Sequence, residues 1–377
     1  MNPWIQVLQE GQSIWLDFMR RQLILSGEFK RLIDEDGISG ATANPTIFEQ
    51  AIVKNDDYDE RIRELLSEGA DHNRIYEDLA IRDIQMAADV LSPIWEARSG
   101  ADGFMSIEVS PKLAHDTQGT IDEACRFFDS VGRPNVMIKI PATEAGLPAI
   151  RHTTGHGVNI NITLIFARSR YRQVTEAYIA GLEDLAESRE KSLEAVASVA
   201  SFFVSRVDTL VDKRLDGLIE GTASEATRRE AQDLRGKAGI ANARLAYQDF
   251  LEIFASDRFR ALVDKGATLQ RPLWASTGVK DPAYRDTMYV EELIGPNTVN
   301  TVPPATLDAF RDHGVVRGQT VTEDVDGARR VEERLGAIGI DLEEVGRTLE
   351  DEGVEKFDVS FANLLEGIAR KRELIRA

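Results

Sequence analysis

The chain has 377 residues, 42% hydrophobic and 29% charged, enough to bury a large core without a disulfide or metal staple. Its 64 acidic residues against 45 basic ones leave a formal charge of −19, a surface that repels nucleic acid and anionic membranes. Cys125 is the only cysteine, so no intrachain disulfide forms; the N-terminus does not read as a secretory leader, no run of about 18 apolar residues occurs, and a cytoplasmic location is expected.

Short β-branched segments alternate with longer helical ones along the whole chain. Eight strands are expected at 12–17, 37–43, 103–109, 134–140, 157–163, 195–203, 270–276 and 297–302. Between most of them, at 74–98, 118–130, 167–187, 205–220, 226–255 and 283–293, apolar residues recur at three- and four-residue spacing with charges between, the pattern of helices packed on one face. Further helices are expected at about 327–336, 340–350 and 358–374. No G-x-G-x-x-G follows the first strand and no G-x-x-x-x-G-K-[ST] occurs, so two phosphate-binding fingerprints of open sheets are missing. The expected fold class is α/β. It is a single (β/α)8 barrel domain over 1–377, with a helical insertion near 57–98 and C-terminal helices after about 325.

Most of these strands end in a polar residue within an apolar context: Asp17, Thr42 to Asn44, Glu108, Lys139, Asn161 with Thr163, Ser201 and Ser276. In a (β/α)8 barrel the C-terminal ends of the strands form the mouth where chemistry is done. Lys139 is the most telling, since it lies in the apolar run Asn135-Val-Met-Ile-Lys-Ile-Pro141 and both faces of a barrel strand are covered. An amine taken out of water loses solvation of its charged form, and a neutral amine attacks a carbonyl to give a Schiff base. The iminium then serves as an electron sink when the adjacent C–C bond breaks, and Asp17 and Glu108 are the carboxylates at hand to move protons.

Four segments carry a family resemblance. GISGATANPTIFEQAI (37–52), NVMIKIPATEAGLPAI (135–150), GVNINITLIF (157–166) and SFFVSRVD (201–208) occur in the order and spacing of the transaldolase family, and the chain resembles its longer bacterial branch. The resemblance implies that Lys139 is the Schiff-base lysine and Asp17 the acid/base of C–C cleavage. It pairs Glu108 with Thr163 around a catalytic water, sets Asn44 and Asn161 to bind substrate hydroxyls or orient the intermediate, and puts Ser201 and Arg206 near the substrate and its phosphate. The sequence departs from the family at Ala43, at Phe202 and after the seventh strand. There the run Ser276-Thr-Gly-Val-Lys280 offers Ser276 and Lys280 as the remaining substrate contacts. The implied reaction moves a dihydroxyacetone unit from a ketose phosphate to an aldose phosphate, without metal or cofactor. Fructose 6-phosphate aldolases resemble it but tend to carry Gln at the position of Glu108 and Tyr at that of Phe203. A non-catalytic binding barrel is the other reading, and the presence of Lys139, Asp17 and Glu108 argues against it. The sequence leaves open whether the chain is a monomer or a homodimer.

Other candidates are set aside. His152 and His156 lie four apart, but Gly155 and Gly157 interrupt the segment and no carboxylate stands at zinc-motif spacing, so a loop leading into the fifth strand is expected. Asn161-Ile-Thr163 reads as a glycosylation sequon within a barrel strand. Cys125 is expected to be buried and inert beside Phe127 and Phe128. The acidic run from Glu183 to Glu190 is expected to be a solvated helix face and loop. Phe357, Phe361 and Leu364–Leu365 form an apolar stripe that suits a helix laid across the barrel mouth.

Overall fold

The computed structural model describes residues 2–188, 191–221 and 224–376. Eight parallel strands pair in sequence order and close: β1 (Gln12–Leu16), β2 (Ile38–Thr42), β3 (Phe104–Glu108), β4 (Val136–Pro141), β5 (Ile160–Ile165), β6 (Ser198–Phe203), β7 (Gln270–Ala275) and β8 (Thr298–Val302). The seam is the β8–β1 pairing, with Gln12 opposite Thr298 and Leu16 opposite Val302. The fold is therefore an α/β (β/α)8 barrel, as expected. Among the described residues no helix is long and apolar enough to cross a membrane.

Alternation along each strand sorts the side chains. In β4, Val136, Ile138 and Ile140 join the shell between sheet and helices, while Met137 joins an inner cluster with Trp15, Phe104, Val199, Leu273 and Val299. Lys139 has the same parity as Met137 and so belongs to the inner set. Gly40 stands opposite Trp15, and a Cβ there would lie 2.5 Å from the indole, so only glycine leaves room for the ring that fills the barrel.

At the N-terminal end the interior is closed by a charged plug. Asp102 accepts from the hydroxyl of Ser13 (2.5 Å) and from Nε1 of Trp15 (2.9 Å), while Arg271 donates to Ser13 (2.8 Å) and stands 3.5 Å from Asp102.

The register shifts twice: between β1 and β2, where Ile14 faces Ile38 but Trp15 faces Gly40, and in β5. Between Ile162 and Ile165 the β5–β6 register shifts, and Leu164 adopts φ +60°, a backbone conformation rare for a non-glycine residue. Ile162 and Ile165 stay in the outer shell, and Leu164 joins the inner cluster. The bulge thus presents two successive residues, Thr163 and Leu164, to the barrel mouth.

Several helices differ from expectation. The segment 226–255 is two helices, Glu225–Leu234 and Ala238–Phe254, parted where Gly236 turns at φ +67° and donates its N–H to Asp212 (3.0 Å). The segment 283–293 holds only the short helix Met288–Glu291; Tyr284, ahead of it, is tied to Asp212 (2.6 Å), and Tyr289, within it, to Asp208 (2.8 Å). Conversely 340–350 and 358–374 belong to one helix, Leu342–Arg376, since Gly353 alone does not break it. The sequence near 57–98 forms Asp59–Ser67 and His72–Ala97. His152 sits in the last turn of the helix Gly146–Gly155 rather than in a loop. His156 caps that helix, stacked on His152 at 4.1 Å with its Nδ1 against the His152 carbonyl. Cys125 is half-buried rather than buried, and burial raises its thiol pKa. Asn161 and Thr163 are fully buried in β5, out of reach of glycosylation. Positions 189 and 190, the end of the acidic run, lie outside the described residues; before them the helix Arg168–Ser188 carries Glu183, paired with Arg258 at 2.7 Å.

Candidate active site

Parallel register assembles the centre. Glu108 stands opposite Lys139, and Lys139 opposite Asn161, so three polar residues cross β3, β4 and β5 in one row. Cross-strand partners point to the same side, and the parity of Lys139 with the inward Met137 makes that side the interior. Lys139 and Glu108 are 5% and 4% exposed, with Nζ 3.3 Å from Oε2, an ion-pair distance that is not a well-formed hydrogen bond. Burial pushes the Glu108 carboxyl above the usual carboxylate range; the Lys139 charge opposes the shift and the Asp17 charge adds to it. A buried ion pair recovers little more than its desolvation cost, so fold stability does not account for this one.

Above the pair lies a cavity of about 170 Å³. Eight of the ten residues singled out from the sequence line it: Asp17, Asn44, Lys139, Thr163, Ser201, Arg206, Ser276 and Lys280. Glu108 and Asn161 do not line it but hold residues that do.

Asn161 accepts from the Ser201 hydroxyl (2.7 Å) and donates to Ser106 (3.1 Å), which fixes its amide orientation. Asp17, just beyond β1, accepts from Thr42 (2.7 Å), whose hydroxyl also meets that of Thr301 (2.9 Å). Asn44 caps the short helix Pro45–Phe48 by accepting from the Ile47 N–H (3.0 Å). The Thr163 hydroxyl is buried with no protein hydrogen-bond partner among the described residues.

The opposite wall is basic. Arg206 is the second residue of the helix Ser205–Glu220, which begins without a side-chain cap; the Ser205 N–H donates to the Ser276 carbonyl (3.1 Å) and the Val207 N–H to the Val204 carbonyl (3.1 Å), so the guanidinium is what this helix start offers an anion. Its Nη1 is buried without a hydrogen-bond partner, and the guanidinium lies over the Phe203 ring at 5.0 Å. Burial lowers the Arg206 pKa from its usual value, and the charges of Asp17, Glu108 and Glu352 oppose that shift. Ser276, at φ +55°, meets the Ser205 hydroxyl at 2.9 Å, which ties the end of β7 to the start of this helix. Lys280 is exposed at the rim and makes no ion pair among the described residues. Against a net charge of −19, this is the local basic pocket that an anionic substrate needs.

The family described as Transaldolase/Fructose-6-phosphate aldolase matches residues 14–368. The chain belongs to that family. It is 50% identical over 367 residues to the "Transaldolase" of Mycobacterium tuberculosis, covering 97% of this chain and 96% of that one. It is 52% identical over 368 residues to the "Transaldolase" of Saccharopolyspora erythraea, with 97% of both chains covered. With "Transaldolase 2" of Streptomyces avermitilis it shares 49% over 358 residues, 95% of this chain and 94% of the relative. It is thus an enzyme of the transaldolase family.

Of the lining residues not singled out as site residues from the sequence, three add a side chain of note to the cavity. Thr301 supplies the polar end of the eighth strand, the one strand end the sequence reading left out. Phe203 lies in the sixth-strand motif. Phe357 comes from the C-terminal helix, and only its membership in an apolar stripe hinted at a buried place. Among the described residues no group of three or more His, Cys, Asp or Glu side chains is arranged to hold a metal ion.

Proposed function

We propose that the chain is a transaldolase that uses Lys139 as its Schiff-base residue and acts as one functional unit along its whole length. The observation that carries this reading is the Lys139–Glu108 contact of 3.3 Å beneath a cavity that also holds a carboxylate and a basic wall. Lys139 condenses with the ketone of a ketose phosphate, such as sedoheptulose 7-phosphate or fructose 6-phosphate, and water leaves. Asp17, oriented by Thr42, takes the proton from the C4 hydroxyl; the C3–C4 bond breaks, and an aldose phosphate departs. The electron pair stays on the three-carbon unit as an enamine conjugated with the Lys139 nitrogen. That carbon attacks the aldehyde of the acceptor, glyceraldehyde 3-phosphate or erythrose 4-phosphate, and hydrolysis frees the new ketose.

Glu108 and Thr163 suit a water between them, because both carry buried oxygen atoms with hydrogen-bonding capacity to spare. Arg206 and the neighbouring Ser205 and Ser276 hydroxyls suit the phosphate, with Lys280 as its second cation. Glu108 and Phe203, in place of Gln and Tyr, favour transfer over simple aldol release. The single cysteine and the class of substrate suit the cytoplasm.

The test is borohydride trapping with fructose 6-phosphate followed by peptide mass spectrometry, then an assay with erythrose 4-phosphate. A reduced dihydroxyacetone adduct on the Lys139 peptide, with acceptor-dependent transfer, is expected. No adduct, or one on another lysine, overturns the assignment.

A further inference from the structure

The roof of the cavity is not made by a strand or a strand-end loop. It is Phe357, on the 35-residue helix Leu342–Arg376. Its ring centre lies 6.0 Å from the Lys139 nitrogen and it is 5% exposed, although its sequence neighbours Lys356 and Asp358 face solvent. It belongs to one apolar cluster with Leu164 and Phe203, so a continuous greasy wall faces the amine.

The helix is seated closely enough to hold that ring in place. A Cβ on Gly353, one turn before Phe357, would come within 2.9 Å of the Leu164 side chain. One on Gly346 would come within 2.5 Å of the Ala167 Cβ, and one on Gly367 within 2.5 Å of Val53. Three glycines on one helix thus allow close backbone approach at three points, two at the end of β5 and one at the turn Glu49–Val53. Leu164 reaches the contact only because the β5 bulge turns it inward. Polar ties flank the seat: Thr46 to Ser360 (2.9 Å), Arg170 to Glu350 (3.0 Å) and Lys371 to Asp59 (2.7 Å).

We propose that Phe357 is a specificity-determining residue that favours transfer over release by keeping water from the lysine-bound three-carbon enamine. This rests on the transaldolase reading above. The enamine has two fates. Its carbon attacks an acceptor aldehyde, forming a C–C bond. Otherwise that carbon takes a proton from water, hydroxide adds to the resulting iminium carbon, and the C–N bond breaks to release dihydroxyacetone and the free Lys139 amine. Protonation of the enamine carbon, the step that commits it to release, draws on water at the face that Phe357 covers; C–C bond formation draws on none there, and the hydrolysis that frees the ketose is common to both routes.

The test is the partition ratio, free dihydroxyacetone over transferred product, in full-length Phe357→Leu, Phe357→Val and Phe357→Ala. The ratio is unaffected by loss of folded enzyme, so a merely structural role leaves it unmoved. It is expected to rise with the volume removed, by roughly tenfold at alanine and least at leucine. Borohydride-trapped adduct on Lys139 should persist in every member. Should the alanine variant not fold, the leucine and valine members carry the same ordering. Equal ratios across the folded members, with the adduct intact, overturn the role of Phe357. Absence of the adduct in the unaltered protein instead overturns the underlying function.

Discussion

The two ends of the barrel are both closed by charged groups, but they treat those groups differently. At the N-terminal end both oxygens of Asp102 accept hydrogen bonds and Arg271 is shared between Ser13 and Asp102. The open acceptors there belong to neutral amides, Gln12 and Gln270, whose nitrogens are bonded. At the C-terminal end the open valences sit on the charged side chains themselves: Glu108 meets Lys139 only as an ion pair, and Arg206 keeps an unbonded nitrogen. Satisfied charge stabilises a fold, and unsatisfied charge is poised to act on something else. The difference separates scaffold from site within one sheet.

Mutations sharpen that contrast. Lys139→Met should abolish transfer by ten-thousandfold or more, equivalent to about 5 kcal/mol of barrel-mouth chemistry. It should leave thermal unfolding no lower, since Glu108 is already pushed towards its neutral form. A clear loss of stability would show the pair to be structural. Asp102→Ala should do the reverse, costing about 3 kcal/mol of stability by leaving Arg271 without its carboxylate while the folded fraction keeps its turnover. Denaturant titration beside active-site-normalised rates would tell, and a lost turnover number would break the division. Glu108→Gln should lower transfer about a hundredfold and raise dihydroxyacetone release. It should also remove the acid limb of the kcat/KM profile. That limb should lie above the ordinary carboxylate range in the unaltered protein, because the buried carboxyl takes up its proton at higher pH.

The smallest effect tests the criterion itself. Asp208 is pushed up to about 7 by burial, which by itself suggests a functional group. Yet it accepts from the Gly239 N–H (2.7 Å) and the Tyr289 hydroxyl (2.8 Å), so its bonds are satisfied and it belongs with the scaffold. The unfolded carboxyl ionises near 3.8 and the folded one near 7, so between those values the folded state holds the extra proton. Stability should therefore fall as pH rises through that window and level off above it. Asp208→Asn should flatten this slope at a cost within about 1 kcal/mol, with activity unchanged. A large activity loss would mean that hydrogen-bond satisfaction does not sort the two classes.

Much of this was legible in the sequence because strand chemistry is local. The apolar run around Lys139 and the polar strand ends announce a covered strand with a chemical tip, and all eight strands lie in or within a residue or two of their expected segments. The row Glu108, Lys139, Asn161 follows once those strands are parallel neighbours. What stayed hidden depends on distant partners. Nothing in Ile162-Thr-Leu-Ile165 marks a left-handed leucine, since the bulge answers to the register of β6 and to the helix above. Phe357 announced only that it would be buried, because its place over Lys139 depends on where three glycines seat a helix that looked like two. The break at Gly236 was signalled by the glycine, but the Asp212 and Tyr284 contacts that make it a turn come from elsewhere in the chain.

The seam between the last strand and the first also bears on how the molecule folds. Gln12 and Thr298 are 286 positions apart, and the Asp17 N–H donates to the Val302 carbonyl (2.8 Å) across that same junction. Contacts of such long sequence separation form late and pay the largest loop-closure entropy. In the mechanism proposed above, Asp17 reaches its place only when the cylinder shuts, so a partly assembled chain would hold the Lys139 amine without the carboxylate assigned to take the substrate's hydroxyl proton. Recovery of turnover during refolding therefore times ring closure, and it should lag behind the return of helical signal.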